Sequence, residues 1–312
     1  MTPHQLTIVI TTYNRVERLK GSLPNLLNAL GELPIPEDVE ILVVNNASTD
    51  GTRSYLDSFT ENQIRVIHNS INQGMLGNLN VCALNAKGRY VWCLGDDDLV
   101  FDGAIEEILT VIKNHDVPLL YLNYKHIIPS NDSNAHDEYR GILCNLNESG
   151  IHSLQNAIQA NSNLMTAIYA LVLRRDHAIF CYSVVSNSSP FTSLESCVPT
   201  TCYALSLDRD TPVYWISKPL LAVDLRVSWI RYAPIWILER FPEMILRFLD
   251  WSDGEADFKY LYDEMLEGIR HWLTQSDENF KQPQTYSYLY SVTKIYGTSD
   301  DIEYLNSYRG LH

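Results

Sequence analysis

The sequence predicts an α/β fold, a mostly parallel sheet flanked by helices, followed by a helical C-terminal region. Three observations carry that prediction. Short β-branched apolar runs alternate with segments of helical periodicity, the pattern of parallel strands joined by helical crossovers. Several of those runs stop abruptly at polar, turn-forming clusters. From about Trp229 the strand signals cease and apolar residues recur at helical spacing.

The first strand, Leu6 to Ile10, runs into Thr11-Thr12-Tyr13-Asn14-Arg15, and Leu19, Leu23, Leu26, Leu27 and Leu30 then mark a helix. Glu40 to Val44 repeats the strand pattern. Asn45-Asn46-Ala47-Ser48-Thr49-Asp50-Gly51 follows as loop, N-cap and first turn of a helix running through Tyr55, Leu56 and Phe59. Arg65 to His68 is a third short strand, Asn72-Gln73-Gly74 a turn, and Leu76 to Ala86 a helix that ends at Gly88. Tyr90 to Leu94 is a fourth strand, which delivers Gly95-Asp96-Asp97-Asp98 at its C-terminal end. Beyond a helix at Ile105 to Ile112 and a strand at Leu119 to Asn123, Pro129 to Tyr139 reads as a polar loop and the alternation weakens. Val172 to Arg175 and Val213 to Ile216 read as later strands. A boundary near Ser228 divides the chain into 1–228 and 229–312, where Ile235, Leu238, Ile245, Leu246 and Leu249 share one helix face.

The 312 residues carry 23 Lys and Arg against 38 Asp and Glu, a formal charge of −15. That excludes general attraction to nucleic acid or anionic lipid, so any phosphate must be held by local groups. The six cysteines, at 82, 93, 144, 181, 197 and 202, include no CxxC pair and read as buried thiols of a reducing compartment. No stretch approaches the roughly 20 apolar residues of a membrane span, and the polar start lacks a charged segment followed by an apolar one. A cytoplasmic protein with at most peripheral membrane contact is expected.

Ligands of open α/β sheets sit beyond the carboxyl ends of the strands, where three polar clusters lie. Three adjacent aspartates repel one another unless a cation sits between them, and oxygen ligands suit Mg2+ or Mn2+ bridging one or two carboxylates to substrate phosphates. A helix N-cap accounts for one aspartate but not for three. Asn45 to Asp50 and Thr11 to Arg15 are each also compatible with plain turns and caps. Their shared location lets all three clusters converge on one ligand.

Four motifs in order then resemble a known family: Ile8-Val9-Ile10-Thr11-Thr12-Tyr13-Asn14-Arg15, Val43-Val44-Asn45-Asn46-Ala47-Ser48-Thr49-Asp50-Gly51-Thr52, Asn72-Gln73-Gly74 with Asn78, and Leu94-Gly95-Asp96-Asp97-Asp98. Over roughly the first 125 residues the chain looks like a family 2 glycosyltransferase with the GT-A fold, similar to bacterial transferases of O-antigen and surface polysaccharide. The resemblance implies that Thr11, Thr12, Tyr13 and Arg15 lie along the nucleotide, with Asn78 contributing to the same pocket. Asn45 stands where many members have an aspartate that contacts the base. It implies metal contacts at Asp97 and Asp98, with Asp96 nearer the ribose, although the family's leading aspartate aligns with either Gly95 or Asp96. It further implies an inverting transfer from a nucleoside-diphosphate sugar to a hydroxyl of a glycan or lipid-linked glycan acceptor, with a carboxylate as base. Glu195, in Ser193-Leu194-Glu195-Ser196, is the first choice for that base, ahead of Asp208, Asp210 and Asp176.

Two other readings stay open. A nucleotidyltransferase also uses an α/β sheet and a metal-bound nucleotide but normally shows a Gly-rich basic loop after its first strand, and Thr11 to Arg15 contains no glycine. A non-catalytic sugar-binding module would keep the fold without the base. His126, His136, His152 and His177 show no ligand spacing, and Arg226 serves an ion pair or a phosphate. The C-terminal Trp229, Trp236, Trp251 and Trp272 suit packing, a homodimer contact or acceptor stacking.

Overall fold

The structure, a computed structural model, describes residues 4–31, 33, 36–60, 63–128, 138–141, 146–160, 166–224, 230–275 and 286–308. The polar stretch 129–137 with His136, and Arg226, Ser228 and Trp229, lie outside those residues. The chain divides into two compact units, one of Met1–Ser189 with Asp210–Arg226 and the other of Pro190–Arg209 with Val227–His312. The segment 190–209, which carries Glu195, therefore belongs with the C-terminal helices.

The first unit is built on one sheet. In chain order it contains β1 (Leu6–Thr12), α1 (Val16–Gly31), β2 (Val39–Asn45), α2 (Thr52–Leu56), β3 (Arg65–His68), α3 (Gly74–Asn85), β4 (Tyr90–Leu94) and β5 (Leu99–Val100). It continues with α4 (Ala104–Asn114), β6 (Leu119–Ile128), β7 (Glu138–Gly141), β8 (Gly150–Ser153), α5 (Leu154–Ala160), a 3-10 turn at Ile168–Ala170, β9 (Leu171–Arg174), α6 (Arg175–Ser183) and β10 (Pro212–Asp224). The strand order is β3-β2-β1-β4-β9-β6-β10-β5, with β7 on β6 and β8 on β10. Pairs β3-β2, β2-β1 and β1-β4 are parallel, as the alternating pattern predicts. β9 runs antiparallel between β4 and β6, so the sheet is parallel in its first half and mixed beyond. All of β2 and β4 is buried, which explains why these strands read as continuous apolar runs. In α1 the buried side chains are Leu19, Ser22, Leu23, Leu26 and Ala29, the stripe of a helix with one face on a sheet.

β10 extends the short strand expected at Val213 to Ile216 to thirteen residues. Its pairing with β6 shifts register twice, between Ile216 and Pro219 and between Pro219 and Leu221. Pro219 lacks an N–H and tolerates a bulge. Nearby, Asn123 Nδ2 donates to the Ser217 carbonyl at 2.6 Å and Ser217 N–H donates to Ser149 Oγ at 3.0 Å. The bulged backbone is thus satisfied by side chains.

The N-terminal ends of the strands are pinned by a polar network around Glu40. Thr7 Oγ1 donates to Glu40 Oε2 at 2.8 Å and accepts from the Gly88 N–H at 2.7 Å. Glu40 also accepts from Arg65 Nε at 2.7 Å and from the Lys87 N–H at 3.0 Å. Gly88 is required there, because a Cβ would lie 2.4 Å from the Thr7 nitrogen. Burial pushes the Glu40 carboxyl up, but bonds from Arg65, Thr7 and Lys87 outweigh it and hold the group below its usual range.

The second unit is helical: α7 (Leu194–Cys197), α8 (Pro199–Ala204), α9 (Ala233–Ile235) continued by a π turn at Trp236–Arg240 into α10 (Phe241–Trp251), α11 (Lys259–Gln275), α12 (Tyr286–Tyr296) and α13 (Ser299–Tyr308). Leu238, Met244, Ile245, Phe248, Phe258, Leu261 and Tyr262 are buried in it. No helix among the described residues is long and apolar enough to cross a membrane. The described cysteines are free thiols, with Cys82, Cys93 and Cys181 buried.

Candidate functional site

The order β3-β2-β1-β4 means that the chain leaves β1 toward β2 on one side and returns to β4 on the other. The loops after β1 and β4 therefore part at a switch point, where such sheets leave a crevice. Asp96 sits there, nearly fully buried. Its Oδ2 accepts from Thr12 Oγ1 at 2.8 Å and its Oδ1 from Arg15 Nη1 at 2.5 Å. Its carbonyl accepts from Ser22 Oγ at 2.8 Å. Arg15 reaches on with Nη2 to Asp97 Oδ2 at 3.1 Å. Asp97 Oδ2 also accepts from Arg18 Nη1, which spans to Asp224 Oδ2 at the end of β10, 3.4 Å away.

Asp98 is 4% exposed and its Oδ2 accepts from the Gly95 N–H at 2.6 Å. Burial, with the like charges of Asp97 and Asp96 added, pushes its carboxyl up to about 7 against the pull of the Gly95 N–H and Arg15. Burial likewise raises Asp96, although Arg15 and Thr12 oppose it. Gly95 has a direct steric role. A Cβ there would lie 2.9 Å from Asp97 Oδ1 and 3.1 Å from Asp98 Oδ2, so both carboxylates lean over the space a side chain would fill. Among the described residues no three acidic, histidine or cysteine side chains form a closed metal cage. A cation completed by substrate phosphates needs only one or two carboxylates, and Asp97 beside Asp98 over Gly95 fits that smaller donor set.

The loops after β1 and β2 are clasped to each other. Asn14 and Ala47 both have positive φ, 53° and 60°, an uncommon conformation outside glycine that tends to occur at functional sites. Asn14 N–H donates to Ser48 Oγ at 2.9 Å, and Thr49 N–H donates to Asn14 Oδ1 at 2.7 Å. Asp50 joins the first turns of α1 and α2 by accepting from the N–H groups of Val16 and Thr52. These polar residues therefore do act as turns and hold the helix starts, although the N-cap of α2 is Gly51 without a side-chain bond, and they also fix the rim of the crevice.

Asn45 is buried with its amide engaged: Oδ1 accepts from Ser48 N–H at 3.0 Å and Nδ2 lies 3.0 Å from His68 Nδ1. His68 Nε2 is 2.9 Å from Asp57 Oδ1. Asn78 is also buried, donating to the Val44 carbonyl and accepting from Asn69. Asn46 binds Asn69, Asn72 and the backbone of Gln73 and Gly74. Asparagines thus tie the loops after β2 and β3 together. Tyr13 is exposed and Thr11 half-buried at the end of β1.

The structure brings together Thr12, Arg15, Asp96, Asp97 and Asp98. Glu195 belongs to the second unit, in α7, where Arg247 Nη1 lies 2.6 Å from its Oε1. Burial raises its carboxyl, while its own N–H, Arg247 and Ser193 together hold it below the usual range. Trp251 donates to the Leu207 carbonyl at 3.0 Å. Arg18, Asp224 and Ser22 are members of the cluster that sequence reasoning passed over. Arg18 was accessible to it, lying in the first turn of α1 three residues after Arg15.

A family model described as glycosyl transferase family 2 matches residues 7–180. The chain belongs to that family. The family 2 region holds all of the strand-end cluster except Asp224. Its similarity to the UDP-Glc:alpha-D-GlcNAc-diphosphoundecaprenol beta-1,3-glucosyltransferase WfgD of Escherichia coli is 24% identity over 127 residues, 41% of this chain and 48% of that one. The abequosyltransferase RfbV of Salmonella typhimurium is 33% identical over 110 residues, 34% of this chain and 32% of that one. The matched stretch spans less than half the length of each of these relatives. Among solved structures, S. aureus TarS 1–349 superposes with a TM-score of 0.57 at 17% identity, covering 96% of this chain and 83% of that chain. Its complex with UDP-GlcNAc gives 0.59. The fold of this family 2 protein is GT-A, with additional C-terminal helices.

Proposed function

We propose that this chain is an inverting glycosyltransferase that moves a sugar from a nucleoside-diphosphate donor to a hydroxyl of a glycan acceptor during surface-polysaccharide assembly. The observation that carries the reading is the convergence of Thr12, Arg15, Asp96 and Asp97 at the switch point of a sheet whose family is known. The clasped loops after β1 and β2 offer the nucleoside a rigid rim, and Asp96, fixed by Thr12 and Arg15, suits a ribose hydroxyl. Mn2+ or Mg2+ would be held by Asp97 and Asp98. When bound, such a cation offsets the charge that grows on the departing diphosphate. WfgD is named for an acceptor carried on diphosphoundecaprenol, which supports a lipid-linked glycan as acceptor and action at a membrane face.

Glu195 is the proposed base. Glu195→Gln keeps the shape but cannot take a proton, so it should retain donor binding and lose transfer by about 10²-fold or more. Transfer at the parent rate assigns the base elsewhere. The reaction class is tested by incubating a panel of nucleotide-sugars with the protein and Mn2+. Slow release of nucleoside diphosphate is expected. Pyrophosphate release would instead mark a nucleotidyltransferase, and no release a binding module.

A further inference from the structure

Three carboxylates, Asp96, Asp97 and Asp224, meet two guanidinium groups in the strand-end cluster, with Asp98 beside them on the Gly95 N–H, and the two guanidiniums are engaged differently. Arg15 uses both terminal nitrogens, one on Asp96 and one on Asp97. Arg18 makes both of its contacts through Nη1, to Asp97 and to Asp224, the second at 3.4 Å. That second contact is at the long limit of a hydrogen bond. Arg18 Nε and Nη2 donate to no described residue, and the side chain is 34% exposed. Arg18 is therefore a planar fork held by one tip, with the remaining donors open to solvent.

Asp97, its stronger partner, already accepts from Arg15, so Asp97 stays paired if Arg18 leaves. Asp224 is held only weakly by Arg18. Release of Arg18 thus strips no carboxylate of its main partner, whereas release of Arg15 would uncover the buried Asp96. A guanidinium fork matches the oxygens of a phosphate in a bidentate way that a point charge cannot.

We propose that Arg18 is a binding residue for the donor's diphosphate, parked on Asp97 and Asp224 until the phosphates arrive. The assignment rests on the nucleotide-sugar reading above and adds to it a cation supplied by the chain itself. On diphosphate binding, Arg18 leaves Asp97, which stays paired with Arg15 and would be available to a cation, and turns its open edge to the phosphate oxygens. Asp224 acts as a positioning residue that sets the resting place of Arg18 and competes with the ligand for it.

The test is calorimetric titration of the whole chain with inorganic pyrophosphate, in EDTA and in excess Mg2+, with thermal melts to check that each variant folds. The parent should bind pyrophosphate in EDTA, and Arg18→Met should weaken that binding at least about tenfold. Arg18→Lys, which keeps charge without the fork, should fall between them. Asp224→Asn should bind more tightly than the parent, a direction that a merely structural role for the Arg18–Asp224 pair does not produce. Should Arg18→Met fail to fold, Arg18→Lys and Asp224→Asn decide the matter by the same criteria. Equal binding by parent and Arg18 variants, or binding by all of them only with Mg2+, overturns the role of Arg18 and leaves the nucleotide-sugar reading standing. Absence of binding by the parent in both buffers overturns that reading as well.

Discussion

At one end of β1, Thr7 donates to Glu40, which Arg65 bridges; at the other, Thr12 donates to Asp96, which Arg15 bridges. The components are alike and the surroundings are not. Around Glu40 a single carboxylate meets Arg65, Thr7 and the Lys87 N–H, with Lys87 Nζ 3.9 Å away, and both carboxylate oxygens are bonded within the protein. Around Asp96 three carboxylates contact two guanidiniums, one of which keeps donors that no described residue takes up. A buried carboxylate fully bonded by its own chain holds strands in register. At the other end Arg18 keeps donors that a phosphate would fit, as proposed above. The same Thr, acid and Arg set therefore serves the fold at the N-terminal end and, on the proposed function, a ligand at the C-terminal end.

Removing the acid at each end should separate the two roles. Glu40→Ala takes away the acceptor of Arg65 Nε, of Thr7 and of the Lys87 N–H and should cost about 3 kcal/mol of stability, read by urea unfolding, with little change in donor affinity. Asp97→Ala should do the reverse. Its affinity for nucleotide-sugar in Mn2+ should fall about 100-fold, or about 2.7 kcal/mol, while its unfolding midpoint stays close to that of the parent. Equal affinity by calorimetry would remove Asp97 from the metal site. The threonines should differ less. Thr7→Val orphans the Gly88 N–H and should cost about 2 kcal/mol, against about 1 kcal/mol for Thr12→Val, which removes one donor to Asp96.

The smallest effect is in pH dependence. The Glu40 carboxyl is held below its ordinary value of 4.5, so its contribution is complete above that pH and is lost as pH falls through the depressed folded value. The stability gap between parent and Glu40→Gln should be flat from pH 7 to about 5 and close below 4. A gap that widens on acidification would contradict the sign of the shift.

Much of the first half of the sheet was legible because β1, β2 and β4 are buried on both faces and, with the half-buried β3, alternate with helices. Local signals of that kind are strong. β9 was found as a strand, but nothing local shows that it inserts antiparallel between β4 and β6. β5 is two residues long, too short for any period to register. The cluster was legible where it is local, in Thr12, Arg15 and Asp96 to Asp98. It was hidden where it is remote, since Arg18 and Asp224 are 206 residues apart in sequence. Asn45 and Asn78 were read as pocket residues from motif position alone, which does not disclose that both amides are engaged in joining loops.

The irregular pairing of β10 with β6 works as a ruler. From Tyr214 to Asp224 the strand advances ten residues while its partner advances only seven, from Leu120 to Ile127. Three residues are taken up by the bulges. Without them Asp224 would lie three positions, or about 10 Å, farther along the sheet, beyond the reach of Arg18. Chain length at 217–220, which touches neither acid nor arginine, thereby sets whether the late strand contributes a charge to the cluster at all.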